Sequence, residues 1–552
     1  MSQAGCVRNT ARQRTGYTGF RGMRFKGRWA VGPSLLWLVL IISAGSVGFL
    51  WLTDVPLGVR GEWTWDRIRV DPAELRETLL GALFAGLVAA VYVGVARIGA
   101  QRMPCGTQAE RALWLTGLIL AGFVSLSVVQ QSPPSGFGMS KAARVLYYPA
   151  SSGYFYTARY EMSDVHSFLT DYEDLLSRRD VLHVGTHPPG LFLLYRAAIW
   201  LCNRSPRLKR TLLSTVPESM SAAFEIIARK TRGRPTQLTT DDRAAIWLVT
   251  VFTQFIAVAT VVPLYLLIRR DHSRRASWMA VCFWPLVPAL AIFLPKSDAL
   301  YPFIGMLFLW VWLTSVDRAS LLGSLTAGLV FWTGMLLSLA MLPFGLLAAI
   351  LTVVQTRQRD DSKTSVRPLP DNVRRTGWSV AWAAGGFLAA VAAFGLLWNV
   401  NLLAVWNWNY HNHAAFYAQY PRTWWKWLLV NPLEFALAAG LPVTMLAAGV
   451  LTRSLRSREQ RAWRVSGRIW AVAFVWAILW ISGKNMGEAA RLWLMWVPCL
   501  IWMAAGCFDE SPKNDRQPRS AMFDATDWTI LLGVQAAVAL ATTMRVNGFP
   551  LF

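Results

Sequence analysis

Histidine and cysteine are scarce, six of each in 552 residues, and acids are outnumbered, with 31 Asp and Glu against 55 Lys and Arg. Cys6, Cys105, Cys202, Cys282, Cys499 and Cys507 stand far apart, and no two fall in one external loop. That spacing argues against a disulfide framework and lacks the clustering of a metal-ligand set. The formal charge of +24 suggests nucleic acid at first sight. The cations, however, fall in short stretches between apolar runs, so no nucleic-acid partner is expected.

Apolar sequence is abundant: 54% of the residues are hydrophobic. The run "SLLWLVLIISAGSVGFLWLT" (34–53) is long enough to cross a bilayer as a helix. Similar runs lie at 77–98, 112–130, 244–267, 276–294, 299–316, 379–400, 431–453, 467–483, 489–507 and 526–543. Residues 319–353 are too long for one span and read as two, broken near Gly334. The chain is therefore expected to be an all-α polytopic membrane protein with about 13 spans. The pieces 190–203 and 211–227 are short or only moderately apolar. They form either a hairpin around "RSPRLKR" (204–210), with that turn cytoplasmic, or two segments lying along the outer surface.

Arg8, Arg12, Arg14, Arg21, Arg24, Lys26 and Arg28 precede the first span with no acid among them, which predicts a cytoplasmic N-terminus. Counting onward puts "RRDHSRR" (269–275), "QTRQRDDSKTSVR" (355–367) and "RSLRSREQRAWR" (453–464) on the same side. The first run exceeds a signal-peptide core and reads as an uncleaved anchor. The C-terminus then lies outside.

By this count the longest external segment is 132–189, carrying Tyr154, Glu161, Asp164, Asp171, Glu173, Asp174 and Asp180. Glu161 and Asp164, three apart, share one side of a helix if the piece is helical, and one of them could serve as a general base. The segment ends in "HVGTHPPGLFLLY" (183–195), which spends two histidines, His183 and His187, at the mouth of an apolar helix opened by Pro188 and Pro189. An imidazole there can donate to a phosphate, hold a carboxylate, or merely cap the helix.

Three more patches face the same side. "LPKSDALYP" (294–302) brings Lys296 and Asp298, a pair either buried and satisfied or facing a ligand. "WNWNYHNHAAFYAQYPRTWWKW" (406–427) reads as an external loop in which His411 and His413 sit among aromatic rings. Those rings suit sugar stacking or interfacial anchoring. "SGKNMGEAARLWLMWVP" (482–498) brings Lys484 and Glu488 to the outer edge and carries Arg491 into a span. An arginine there is costly unless it is paired or binds an anion.

In order and spacing, "THPPG" (186–190) after an acidic outer loop, "VVPLYLLIRRDHSRRASWMAVCFWPLVPAL" (261–290), "PKSDALYP" and "GEAARLWLMWVP" (487–498) resemble the GT-C superfamily of integral-membrane glycosyltransferases. The resemblance covers roughly residues 112–510. It implies a GT-C-like catalytic membrane core over that range, preceded by a basic tail (1–33) and two extra spans (34–111), and followed by a tail and last span (511–552). It further implies a polyprenyl-phosphate-linked sugar donor and a glycan, lipid or protein acceptor, met at the outer face of a bacterial plasma membrane among membrane lipids. Carried over to this chain, Glu161 or Asp164 becomes the base and His187 a donor at the helix mouth, while Lys296 and Arg491 become phosphate-binding candidates. Tyr154, His183, Asp298, His411, His413, Lys484 and Glu488 complete the expected substrate site. The chain departs from the pattern just before Tyr154, where relatives carry an acid and this chain has Ser151, Ser152 and Gly153. The base is then displaced, to Asp66 of "WTWD" among other places. A divalent cation, Mg or Mn, is conceivable at the acidic loop, although no ligand spacing compels it. The rival class is a transporter or flippase, which would place polar residues near mid-membrane in several spans. A membrane ligase or polymerase of envelope glycans is the other alternative.

Overall fold

The computed structural model describes residues 31–178, 181–360, 369–456, 463–509 and 521–549. The basic tail 1–30, Asp180, residues 361–367 of the stretch 355–367, residues 457–462 of 453–464, and residues 510–520 and 550–552 lie outside the described residues.

The apolar runs fold as helices because a backbone in hydrocarbon must satisfy its own N–H and C=O groups. Among the described residues nine helices are long and apolar enough to cross a membrane, from Pro33–Leu52 to Ala525–Arg545. A tenth span arises if Trp424–Ala439 and Leu441–Leu455, bent by 113°, count as one. The other expected spans hold shorter apolar helices, Leu321–Leu337, Gly467–Ile481 and Leu494–Cys507. The protein is thus an all-α polytopic membrane bundle, and the expectation of about 13 spans comes down to nine or ten by length and composition. The physical reason is interruption. Run 319–353 breaks at extended Ser338, four residues beyond Gly334, and the late run opens with a four-residue helix, Ala489–Leu492.

The 113° bend has a local cause. Gly440 takes φ 88°, and a Cβ there would meet the Gln535 amide at 2.2 Å. Gln535 occupies that space to donate to the carbonyls of Ala439 and Leu286, both at 3.0 Å. A glycine is required at this break.

Connections gather at two ends of the bundle. At one end, Arg274 bonds the Pro104 carbonyl at 3.2 Å, Arg270 pairs with Asp317 at 2.7 Å, Asp271 with Arg468, and His272 with Asp509 at 3.0 Å. At the other end lies a three-stranded sheet, β1 (Leu57–Val59), β2 (Trp63–Arg67) and β3 (Val546–Asn547), whose last strand follows the final span. Its hairpin touches the segment 423–434 through Glu62 and Trp65. Residues 132–189, 294–298 and 482–491 meet at this same end. Of the cysteines, Cys202, Cys282, Cys499 and Cys507 are free and buried. Cys105 is disulfide-bonded, a bridge not foreseen from the spacing.

The hairpin reading of 190–227 is overturned. These residues form helices Gly190–Arg204, Pro206–Ser214 and Glu218–Thr231, none of them a candidate span. Lys209 of the basic turn pairs with Asp241 at 2.6 Å, at the start of the crossing helix Thr240–Ile268. The neighbouring Asp242 takes Arg159 of the long polar segment, also at 2.6 Å. The turn therefore lies at the same end as residues 132–189, and its charge belongs to that face. Single added cysteines test the arrangement: Asp174→Cys and Arg318→Cys should label from opposite sides of intact membranes. Labelling of both from one side would contradict the fold.

Candidate functional site

Seven residues named from sequence converge at the end of the bundle that carries the sheet. Arg491 Nη2 donates to Glu488 at 2.7 Å, and its Nε lies 3.8 Å from Asp298. Tyr154 and Tyr301 lie within its electrostatic reach. Lys296, buried at 4% exposure, donates to the Ser151 carbonyl and feels Arg491, Asp298 and Glu488. Burial pushes its ammonium down to about 7. Burial acts against the charge of Arg491 too, but Glu488 and Asp298 outweigh it and raise the guanidinium above its ordinary value.

The helix carrying Arg491 starts from a strained residue. Glu488 sits at φ 56° in the left-handed region, which a non-glycine residue adopts at a cost of order 1 kcal/mol. Its bond to Arg491 and the bond from Ala490 N to Glu434 at 3.2 Å hold this turn in place. Glu434 also accepts from Trp65 Nε1 at 2.5 Å, so the β2 strand supports the turn that presents Arg491.

His187 and His183 come in through the loop before Pro188. His187 Nδ1 lies 3.2 Å from the His183 carbonyl and 3.0 Å from Thr186 Oγ1. A carbonyl can only accept, so the proton sits on Nδ1 and Nε2 keeps its lone pair. The helix Gly190–Arg204 receives no side-chain cap, which removes capping as the role of His187. Burial drives its imidazole down to about 3, with Lys296, His413 and Arg491 acting the same way, so the ring is neutral at physiological pH. Burial likewise lowers His183, whose Nε2 donates to the Ala150 carbonyl at 3.3 Å. The turn that lacks an acid thus offers carbonyls instead, that of Ala150 to His183 and that of Ser151 to Lys296. Tyr154 is fully buried, its ring 5.4 Å from His187 and 5.3 Å from Phe192.

Residues that sequence reasoning missed hold this loop. Residues 402–419, expected as a loop, form a helix capped by Asn401. Its buried Asn409 donates to the Gly185 and His187 carbonyls at 3.0 and 3.1 Å. Asn412 donates to Leu176 and Gly185, each at 3.0 Å, and Tyr172 adds a hydroxyl to the His187 carbonyl at 2.8 Å. The two asparagines stand three apart, a spacing that puts both on one helix face. Asn409→Leu strands buried carbonyls and is expected to destabilise the fold by about 1–3 kcal/mol, read by thermal unfolding in detergent. Unchanged unfolding would mean that the loop does not depend on the helix.

The other expected site residues take different places. His413 is half-buried beside Tyr417, its ring 6.3 Å away, and burial and Lys484 lower its imidazole. Lys484 Nζ stands 4.1 Å over the Tyr410 ring. His411 is exposed and bonds the Asn407 carbonyl of its own helix at 2.8 Å. Glu161 is exposed and accepts from Thr157 at 2.8 Å. Asp164 caps the helix Val165–Thr170 through the N–H groups of His166 and Ser167, and these bonds lower its carboxyl. Asp66 is exposed, and strand alternation turns it away from the face on which Trp65 reaches Glu434. The carboxylates inside the cluster are Asp298 and Glu488.

Among the described residues no three His, Cys, Asp or Glu side chains are grouped to hold a metal ion. Asp298 and Glu488 both face Arg491, a cation built into the chain. No known family model matches the chain, and a search of curated proteins finds no match.

Proposed function

We propose that this protein is a membrane glycosyltransferase of GT-C type that moves a sugar from a polyprenyl-phosphate-linked donor to an acceptor hydroxyl. The observation that carries the reading is the meeting of Lys296 and Arg491 with Asp298, Glu488 and two neutral histidines at one end of a membrane bundle. Two buried cations at the end of apolar helices suit a phosphate whose lipid tail remains in the bilayer. A transporter would instead set such groups along mid-membrane segments. In this reading the bundle has 13 crossings, the three shorter helices included. The N-terminus is cytoplasmic, and the site faces outward from a bacterial plasma membrane.

In the step we assign, the donor phosphate draws Arg491 away from Asp298, which holds it only at 3.8 Å. The freed Asp298 carboxylate takes the proton of the acceptor hydroxyl, whose oxygen bonds to the anomeric carbon. The bond from that carbon to the phosphate oxygen breaks, and polyprenyl phosphate leaves with the electron pair. Arg491 and Lys296 stabilise its growing charge, and the bare Nε2 of His187 accepts from a sugar hydroxyl. Asp298 replaces Glu161, Asp164 and Asp66 as the candidate base because it belongs to the cluster.

The test is transfer of labelled sugar from synthetic polyprenyl-phosphate donors to membrane acceptors by the purified full chain. Asp298→Asn should keep donor binding and lose transfer. Transfer at the normal rate by a folded Asp298→Asn protein would refute its role as base, and absence of donor binding by the unaltered protein would refute the function. Affinity for the donor should fall as pH rises through about 7, where Lys296 loses its proton.

A further inference from the structure

Away from this cluster, the same end of the bundle carries an unexplained concentration of positive charge. Residues 204–243 hold nine Lys and Arg against four Asp and Glu. This face is the one opposite the basic connections around Arg270, Arg274 and Arg468. Short connections on the face away from the basic loops are ordinarily poor in cations, so this excess needs an anionic counterpart.

The structure gathers part of it into a cavity of about 410 Å³, open to solvent, whose lining includes Glu225, Arg229, Arg232, Gln237, Thr239 and Arg243. Three guanidinium groups face it against one carboxylate. Glu225 is spent on Arg243 Nη1 at 2.5 Å, and Arg243 Nε is buried without a hydrogen-bond partner. Arg229 and Arg232 are exposed at the rim. Depth in the membrane follows from the helix they adjoin. Thr239 caps, and Arg243 lies in the first turn of, the crossing helix Thr240–Ile268, so the cavity opens at the level where hydrocarbon gives way to headgroups. The helix Gly190–Arg204, packed on that crossing helix, exposes Trp200 and Leu201, with Arg204 5.6 Å over the Trp200 ring. Exposed apolar groups beside cations are the pattern of helices that lie in the interfacial plane.

We infer that this cavity is a binding site for the headgroup of an anionic phospholipid, with Arg229, Arg232 and Arg243 on the phosphate and the acyl chains passing down the crossing helix. Guanidinium forks match a phosphate bidentately, and the depth of the cavity matches a headgroup whose tails stay in the bilayer. The site is separate from the proposed transfer chemistry and does not depend on it.

The experiment uses the purified full chain and native mass spectrometry from detergent, with phosphatidylglycerol, phosphatidylcholine and inorganic phosphate as probes. Arg229→Gln/Arg232→Gln removes two exposed cations and leaves the Arg243–Glu225 pair, and an unchanged unfolding temperature in neutral detergent checks its fold. The unaltered chain should hold phosphatidylglycerol at least tenfold more tightly than the double variant, with phosphatidylcholine bound equally by both. Equal phosphatidylglycerol affinity in the two proteins would overturn the site. Displacement of phosphatidylglycerol by an equimolar amount of inorganic phosphate would overturn the lipid assignment in favour of a free anion.

Discussion

Arg491→Leu is expected to reduce sugar transfer by about 10²–10³-fold, the loss seen when one donor to a developing oxyanion is removed. It is also expected to weaken the fold. Asp298 and Glu488, 13% and 22% exposed, would face one another without their shared cation, and breaking a buried pair costs about 3–5 kcal/mol. The two effects can be separated. Arg491→Leu/Glu488→Gln removes one of the stranded charges, so unfolding temperature should recover while transfer does not. Arg491→Lys should recover stability and only part of the transfer, because an ammonium lacks the planar fork. Recovery of both stability and transfer in the double variant would make Arg491 a helix-pairing residue and nothing more.

The second large effect concerns His187 and acid. Its folded value of about 3 lies below the ordinary 6.5, chiefly through burial. Between those values the unfolded chain binds a proton that the folded chain does not, so stability rises with pH across that window. His187 therefore opposes folding as pH falls below 6.5, by up to about 1.4 kcal/mol per pH unit, less to the extent that water reaches the ring edge. Glu62 titrates in a lower window. Burial alone would raise its carboxyl, but hydrogen bonds from Thr423, Trp427 and Lys426 bring it down to about 2 from 4.5. Its contribution is present above pH 4.5 and lost as pH falls towards 2. Unfolding between pH 7 and 5 thus avoids the Glu62 window, and His187→Asn should remove the part of the slope that His187 contributes, with His183 and His413 keeping a remainder. Turnover at pH 7 should fall about tenfold to a hundredfold in His187→Ala and recover in part with asparagine. An unaltered acid slope in His187→Asn would place the ring in water.

The apolar runs were readable because bilayer thickness imposes a length on any helix that crosses it, and each expected run does hold a helix. What composition could not reveal was where those helices stop. The break at Ser338 and the 113° bend at Gly440 depend on Met341 and Gln535 packing against particular backbone atoms. The turn "RSPRLKR" misled for a related reason. Its charge suggested the cytoplasm, whereas its partner Asp241 identifies the end of the bundle it occupies. At the site, Lys296, Asp298, Glu488 and Arg491 stood out because charge beside an apolar run demands an explanation. Glu161 and Asp164 stood out equally, yet they satisfy local backbone and hydroxyl groups, a use of carboxylates that spacing does not distinguish from catalysis. Asn409 and Glu434 were hidden because their partners lie in distant segments, main-chain carbonyls for Asn409 and the Trp65 indole with the Ala490 N–H for Glu434.

The small sheet also bears on how the molecule is made. Strand β2 emerges from the ribosome long before β3, the neighbour for its outer edge. Arg545, just before β3, bonds the Leu50 carbonyl at 3.0 Å and Asp54 at 2.9 Å, tying the first helix to the last. Until β3 has been translated the hairpin therefore lacks this neighbour, and the frame behind Trp65 and Glu434 stays open. A chain halted before Ala525 would carry Lys296 and Arg491 without that closure. This end of the bundle is consequently completed only when helix Ala525–Arg545 has been inserted and the strand behind it has crossed to meet β2.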